Sequence, residues 1–281
     1  TPEFTSSQDM WKITSGKEVY STSQVTMDSD SYYSTVNFYG DEINLKSGFV
    51  RYGSSAVATV NVINNNFHYM VFRDCGTALT INQGNLDVGY LVIYNCNNAG
   101  IVYTSNIDES DTSLYITKSI AIDIIQRAVS AEKAKNLYIN NCYFQDNYFA
   151  ISNKYCNGYI EFNEFSNNYY DLYYSKVSTI LHNEIHYNNF YKSYNMSIYL
   201  TGEINNITNN NFDGQPDHFI YILKPYTPFS MVYSDVNATN NYWAVEEVSQ
   251  YLADAEDDPR CPYHIIYLPK LANPVREAGI Q

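Results

Sequence analysis

Four stretches decide the fold: Phe72-Arg-Asp-Cys-Gly-Thr-Ala-Leu79, Tyr94-Asn-Cys-Asn-Asn-Ala-Gly-Ile101, Phe144-Gln-Asp-Asn-Tyr-Phe-Ala-Ile151 and Phe165-Ser-Asn-Asn-Tyr-Tyr-Asp-Leu172. Each opens on an aromatic residue, crosses an Asx-rich patch and closes on an aliphatic one. A looser copy runs from Ile122 to Val129, and weaker copies begin at Ile185 and Phe212. The starts at 72, 94, 122, 144, 165, 185 and 212 are spaced by 20 to 28 residues. Self-similarity at that period is the signature of a solenoid.

The flanks of each phrase decide which solenoid. Ahead of it lie Val60-Asn-Val62, Leu91-Val-Ile93, Leu137-Tyr-Ile139 and Ile160-Glu-Phe162; behind it lie Leu79-Thr-Ile81, Ile101-Val-Tyr103, Ile151-Ser-Asn153 and Leu172-Tyr-Tyr174. Alternation with period two in Ile, Val, Tyr and Phe predicts short strands. Asn-Asn corners separate them, and Asn enters the left-handed αL conformation at low cost. Helical periodicity is almost absent between residues 50 and 240. Leu does not recur at the spacing a leucine-rich repeat needs. The prediction is an all-β, single-stranded parallel β-helix of about eight to ten coils, with two or three strands in each.

The chain carries 34 Asn. In a β-helix the same corner recurs about 4.8 Å above the last. Inward-pointing Asn side chains can then bond up and down a ladder, as in cross-β stacks. The candidates are Asn65, Asn141, Asn163, Asn183 and Asn210. Residues 1–50 lack the repeat and are expected to form an amino-terminal cap and irregular first coils, because an open first sheet edge invites aggregation. Residues 51–243 are the coils, and 244–281 a carboxy-terminal capping helix, last strand and tail. Residues 125–135 have helical propensity, but the repeat runs through Ala128-Val129 and favours a strand with a lysine-bearing turn. Residues 213–235, with Pro216, Pro225 and Pro228, are expected to leave the barrel.

The segment Asn240-Asn-Tyr-Trp-Ala-Val-Glu-Glu-Val248, the pair Asp257-Asp258 and the run Ile265-Ile-Tyr-Leu-Pro269 resemble the closing motif of secreted right-handed parallel β-helix proteins. The resemblance implies that Asn240, Asn241, Tyr242 and Trp243 close the last coil. It implies a short helix from Val245 to Ala253 over the end of the core, a turn at Asp257 and Asp258, and a strand from His264 to Leu268. Ala244 stands where that pattern has Gly. That superfamily includes lyases, hydrolases, epimerases, adhesins and surface-layer proteins, so the likeness speaks for architecture and not for activity.

Composition narrows the function classes. Sixteen Lys and Arg stand against 30 Asp and Glu, for a net charge of −14. Nucleic-acid and anionic-membrane partners need a basic footprint that this chain lacks. No apolar run approaches the length of a membrane span. The chain opens Thr1-Pro-Glu-Phe4 without Met, which suits a mature protein relieved of a signal peptide. Sequons at Asn195, Asn206 and Asn237 fit an extracellular or cell-surface location, although 34 Asn would produce such a number by chance. Cys75, Cys96, Cys142 and Cys156 are candidates for a disulfide or for stacked buried thiols, and Cys261 is left over.

Chemistry finds little support. A pectate-type lyase needs clustered carboxylates for Ca²⁺ beside an Arg or Lys base, yet only Arg73 and Arg127 lie in the repeats. A polygalacturonase-like site needs paired Asp on adjacent coils. Asp74 and Asp146 are equivalent but three coils apart, roughly 14 Å and beyond the roughly 6.5–9.5 Å of an inverting pair. His182 and His186 share a strand and do not chelate. Asp108-Glu109-Ser110-Asp111 is a weak candidate for structural calcium; no other cofactor is expected. The tyrosines, 30 in all, are the better lead. Tyr148, Tyr169, Tyr170, Tyr173, Tyr174, Tyr191 and Tyr194, with Tyr187 and Tyr199, cluster in successive coils and predict an aromatic stripe for protein or sugar. The expectation is a non-enzymatic, glycosylated structural protein that assembles with copies of itself into a fibre or coat. The alternatives are an adhesin or spike that binds glycans through the stripe, and a polysaccharide lyase or epimerase.

Overall fold

The computed structural model describes residues 62–105, 112–175, 182–200, 204–222, 235–253 and 264–281, together with the backbone of the strands that precede them from Glu18. Three parallel sheets, of 11, 10 and 10 strands, form the faces of a β-solenoid. One turn places Asn64–His68 in face 1, Met70–Arg73 in face 2 and Thr77–Ile81 in face 3. The next repeats the order with Asn85–Gly89, Val92–Cys96 and Ala99–Thr104. Seven turns between Asn64 and Ile222 are complete in all three strands, and further strands of each sheet lie on either side. Every strand bonds to its counterparts one turn away, in register: Asn136–Asn140, for example, pairs with Asn157–Glu161 residue for residue. That stacking makes each sequence position a column along the axis.

The recurring phrase is the strand of face 2 and the corner after it. Phe72, Ile93, Ala121, Phe144, Phe165, Phe190, Phe212 and Trp243 form one inward column. The expected starts at Tyr94 and Ile122 are thus one residue late, because Ile93 and Ala121 are the buried members of each apolar pair. Ile185 belongs to face 1, opposite Ile160; the copy it stood for starts at Phe190. The lumen is not purely aliphatic. Its rings stack at 5.3 Å (Phe144–Phe165), 5.0 Å (Phe165–Phe190), 4.8 Å (Phe190–Phe212) and 4.4 Å (Phe212–Trp243). Parallel register superposes like on like, and flat rings fit the strand spacing.

Each fully described corner turns on one residue with positive φ. Between faces 1 and 2 these are Tyr69, Tyr90, Lys118, Asn141, Phe162, Tyr187, Asn209 and Asn240, with φ from 48° to 59°. Such angles are uncommon for Tyr, Phe and Lys and persist where surroundings over-determine them. The next residue of each corner points inward and does that work. Asn188 Oδ1 accepts the Asn163 backbone N–H at 2.9 Å and Asn163 Nδ2 at 3.0 Å. Asn210 does the same for Asn188, and Asn241 for Asn210. Each amide also donates to a backbone carbonyl of the turn before, as Asn188 does to Ile160 at 2.8 Å. A second ladder lines the corner between faces 2 and 3, where Asn147 Nδ2 donates to Asn168 Oδ1 at 2.9 Å. Of the five expected ladder residues, Asn65, Asn163, Asn183 and Asn210 are buried and bonded. Asn141 is instead the αL residue itself, one position before the inward column.

Residues 125–135 form the strand Arg127–Glu132 followed by Lys133 at φ 65°. The expected departure from the barrel does not take in residues 218–222, because His218–Ile222 is a regular strand of face 3; residues 223–234, with Pro225 and Pro228, lie outside the described residues. At the carboxy-terminal end, Asn241 is the last ladder rung and Trp243 the last ring of the lumen stack. A helix from Val245 to Ala253 does not form. Val248–Tyr251 makes a single 3-10 turn and Leu252–Ala253 rejoins face 3 beside Ile220 and Tyr221, where β-branched valines and sheet pairing outweigh helix propensity. The last strand is Ile265–Ile266, shorter than expected, paired with Val236–Asn237. Asp257, Asp258, Cys261 and the acidic stretch 108–111 lie outside the described residues, as do residues 1–17.

Candidate interaction surface

Two outward columns of face 3 carry the aromatic stripe. One runs Arg127, Phe149, Tyr170, Met196, His218 and the other Ser130, Ser152, Tyr173, Tyr199, Tyr221. Phe149 stacks on Tyr170 at 4.9 Å, Tyr173 on Tyr199 at 4.7 Å and Tyr199 on Tyr221 at 5.7 Å. Edge-to-face contact between Tyr170 and Tyr173, 6.0 Å apart, ties the columns together. At the neighbouring corner Tyr148 stacks on Tyr169 at 4.8 Å, and both meet face 3 edge-on, through Phe149 and Tyr170. Tyr194, 66% exposed, follows on the next turn, and Tyr169 Oη accepts Asn195 Nδ2 at 3.1 Å. With Ile125 these corner residues line a shallow cavity of about 270 Å³.

The structure thus brings together Tyr148, Tyr169, Tyr170, Tyr173 and Tyr194 of the expected stripe, with Tyr199. It adds Phe149, Met196, His218 and Tyr221. Tyr174 is not part of the surface: it is fully buried, because Leu172 stacks inward on Ile151 and alternation turns Tyr173 out and Tyr174 in. Its ring occupies space left by Gly158, where an added Cβ would lie 2.5 Å from the phenol oxygen. Tyr191 stands on face 2 and Tyr187 at the first corner, on Phe162. Both are on other sides of the solenoid.

The stack decides what this surface can touch. Ring faces are consumed by neighbours one turn away, and Arg127 sits 6.0 Å from the Phe149 ring at the end of its column. What remains outward is ring edges and phenol hydroxyls. Burial, then the adjacent tyrosines, raise the Tyr170 and Tyr199 phenols above their ordinary range, so both remain neutral donors well into alkaline pH. No carboxylate or lysine lies within the two columns from Phe149 to Tyr221.

The sequons divide by environment. Asn206 and Asn237 are successive rungs of one face 1 column: Asn237 Nδ2 donates to Asn206 Oδ1 at 2.8 Å, and Asn206 Nδ2 to Glu184 at 2.8 Å. Glycans on both would have to share about 4.8 Å of rise, less than the width of a sugar. Cys75, Cys96, Cys142 and Cys156 are all buried. Cys75 and Cys96 occupy successive turns, where the hydrogen bond between them and burial push the Cys75 thiol up. Burial raises Cys142 to about 12.

Two polar constellations escaped the sequence. Register sets Asp123 next to Asp146, one turn apart at the second corner; the slip at Ile122 had hidden this. Both carboxylates are exposed, and Asp146 is engaged by Gln145 at 2.7 Å. His186 lies 2.7 Å from Glu184 on its own strand and 2.9 Å from Thr208 Oγ1 on the next, 22 residues away. Thr208 is only 9% exposed, and its strand pairs with His182–His186 in regular register. Among the described residues no group of three His, Cys, Asp or Glu could hold a metal, and no helix is long and apolar enough to cross a membrane. No family model, no curated protein and no solved structure matches this chain.

Proposed function

We propose that this chain is a non-enzymatic extracellular structural protein that assembles with copies of itself into a fibre or coat through the tyrosine columns of face 3. The observation that carries this reading is the uncharged run of stacked rings from Phe149 to Tyr221, which presents edges and hydroxyls along the axis. A second solenoid supplies the matching geometry, since its own columns repeat at the same spacing. Stacked tyrosines also lose little side-chain entropy on association. Sugar recognition by the stripe is less favoured, because a pyranose needs a free ring face. Glycans at Asn195, in place of its bond to Tyr169, and at one of Asn206 and Asn237 belong to this reading, and intact-protein mass spectrometry would count them. The net charge of −14 opposes association, so screening by salt should promote it. Sedimentation velocity and electron microscopy over a salt series test the reading. Filaments or sheets that grow with ionic strength, and fail to form in a Tyr173→Ser, Tyr199→Ser double variant, are expected. A monomer at every salt concentration would sink it.

A further inference from the structure

The corner between faces 2 and 3 changes its inward column along the axis. The residue after each αL position runs Cys75, Cys96, Ile124, Asn147, Asn168 and Ser193, all buried. In the later turns this column is a ladder, because side-chain atoms on adjacent rungs meet: Asn147 Nδ2 reaches Asn168 Oδ1 at 2.9 Å. In the first two complete turns the same rungs are thiols. The register that pairs Tyr94 with Arg73 continues into the corner and sets Cys96 over Cys75. Backbone bonds fix the pair on both sides. Asp74 N–H donates to the Tyr94 carbonyl at 3.1 Å, and Asn97 N–H to the Cys75 carbonyl at 2.8 Å. Both side chains are wholly shielded from solvent and lie within hydrogen-bonding reach of each other.

Among the described residues no other cysteine has such a neighbour. Cys142 stands at the first corner, where its N–H donates to Asn163 Oδ1 of the next turn at 2.9 Å. Cys156 stands at the third, where Asn153 of its own turn bonds its N–H and its carbonyl. Neighbouring turns of a parallel solenoid place equivalent Cα atoms about 4.8 Å apart. A disulfide spans roughly 4.4–6.8 Å between Cα atoms, so the backbone separation suits one. Its β carbons need roughly 3.5–4.5 Å, and the corner must draw in by at least a few tenths of an ångström to supply it. The thiols give up little in exchange. Cys75 donates to the Arg73 carbonyl at 3.4 Å and Cys96 to the Tyr94 carbonyl at 3.8 Å, and a thiol is a weak donor.

We infer that Cys75 and Cys96 join in a disulfide when the chain folds under oxidising conditions, a covalent rung where the later turns use hydrogen-bonded amides. The step is exchange with an external disulfide such as oxidised glutathione. One cysteine thiolate attacks it, forming a mixed disulfide and releasing one reduced thiol. The second thiolate attacks the cysteine sulfur of that mixed disulfide, forming the Cys75–Cys96 bond and releasing the other thiol. The pair loses two electrons and two protons, and the oxidant is reduced to two thiols. Both sulfurs are buried in the finished solenoid, so exchange precedes closure of the second turn over the first. The bond would tie together two turns that lack the Asn ladder, and it is independent of the face 3 contact.

Peptide mapping of the full chain tests the inference. Protein secreted through an oxidising compartment, and the same chain made in a reducing one, are unfolded in guanidinium chloride with N-ethylmaleimide and no reductant. No lysine or arginine separates the two cysteines, so digestion uses a protease that cuts before aspartate and splits the segment ahead of Asp87. In the secreted chain the peptides that begin at Asp74 and Asp87 should be joined through sulfur and carry no maleimide, while Cys142 and Cys156 are labelled. In the chain from the reducing compartment all four should be labelled. Reductant should also lower the denaturant midpoint of the secreted chain, and Cys96→Ser should abolish that shift. Maleimide or glutathione on Cys75 and Cys96 of a secreted chain with a β-sheet circular dichroism spectrum would overturn the proposal. So would a link from either residue to a different cysteine, or a reductant shift that persists in Cys96→Ser.

Discussion

The amino-terminal and carboxy-terminal turns of this solenoid share one backbone and fill it differently. The inward column after the first corner is Met70, Leu91, Ser119 and Cys142 in the earlier turns, then Asn163, Asn188, Asn210 and Asn241. The outward column of face 3 is Ala58, Thr80, Val102, Ser130 and Ser152, then Tyr173, Tyr199 and Tyr221. The corner conformation is the same throughout, with φ near 55° at Tyr69 and at Tyr187. The left-handed corner therefore does not require an Asn ladder; burial of Met70 or Leu91 suffices. The ladder coincides with the turns that bear the tyrosine columns. A rigid polar interior beneath an aromatic exterior gives those turns a fixed surface, which suits a contact region better than the plainer half.

Replacing ladder residues should break this contrast most severely. Asn188→Leu removes the acceptor for two Asn163 donors and the donor to Ile160, all buried, at an expected cost of about 3–5 kcal/mol in denaturant unfolding. In the apolar half, Leu91→Ala should cost about 2–4 kcal/mol through its cavity. If Asn188→Leu were the milder of the two, the ladder would not be what holds the later turns.

Asp171 is the exception inside the polar half. It occupies the column of Ala78, Ala128 and Ala150, fully buried, accepting from Asn168 Nδ2 at 2.9 Å and bonded to Ser193 Oγ. Burial pushes its carboxyl up to about 7, against hydrogen bonds from Ser193 and Asn168 that lower it. The folded pKa lies above the unfolded one, so its contribution is fully present below about pH 4 and is lost as the pH rises through about 7. Asp171→Asn, whose Oδ1 can accept from Asn168 and whose Nδ2 can donate to Ser193 Oγ once that hydroxyl turns to Ser197, should stabilise the fold at pH 8 by up to about 4 kcal/mol. Near pH 4 it should change little. Equal effects at both pH values, read from thermal melts, would show that the carboxyl titrates normally.

Gly158→Ala should cost roughly 1–3 kcal/mol, because the new methyl meets the buried Tyr174 phenol at 2.5 Å. Smallest of all, Tyr199→Ser should cost about 1–2 kcal/mol of monomer stability through its two lost ring contacts while impairing assembly. A large loss of stability there would make the stripe a structural shield and not a contact.

The architecture was legible because the corner chemistry repeats: αL-tolerant Asx residues between short alternating runs point to stacked strands. Register was less legible. At Ile93-Tyr94 and Ala121-Ile122 either apolar residue suits a strand, and only burial separates them; the resulting slip hid the neighbourhood of Asp123 and Asp146. The stripe was half legible. Tyr173 and Tyr174 are adjacent, and stacking Leu172 on Ile151 would have assigned the first outward and the second inward. Asn147, Asn168, Asn188 and Asn241 were missed as rungs because their place is set by the turn above, not by the residues beside them. The docking of residues 271–281 along the first corner had no local signal, since the side chains that hold Val275, Ala278 and Gln281 (Asn211, Asn189 and Asn141) lie 64 to 140 residues away.

The central claim, that the tyrosine turns form the contact between copies, is tested most directly by footprinting the tyrosines of assembled and dissociated protein. Hydroxyl-radical labelling, which does not depend on phenol ionisation, followed by peptide mass spectrometry would resolve individual rings. The account predicts that Tyr148, Tyr173, Tyr199 and Tyr221 lose reactivity on assembly, while Tyr115, Tyr138 and Tyr159, stacked on face 1, keep theirs. Protection of the face 1 tyrosines with face 3 still reactive would contradict it.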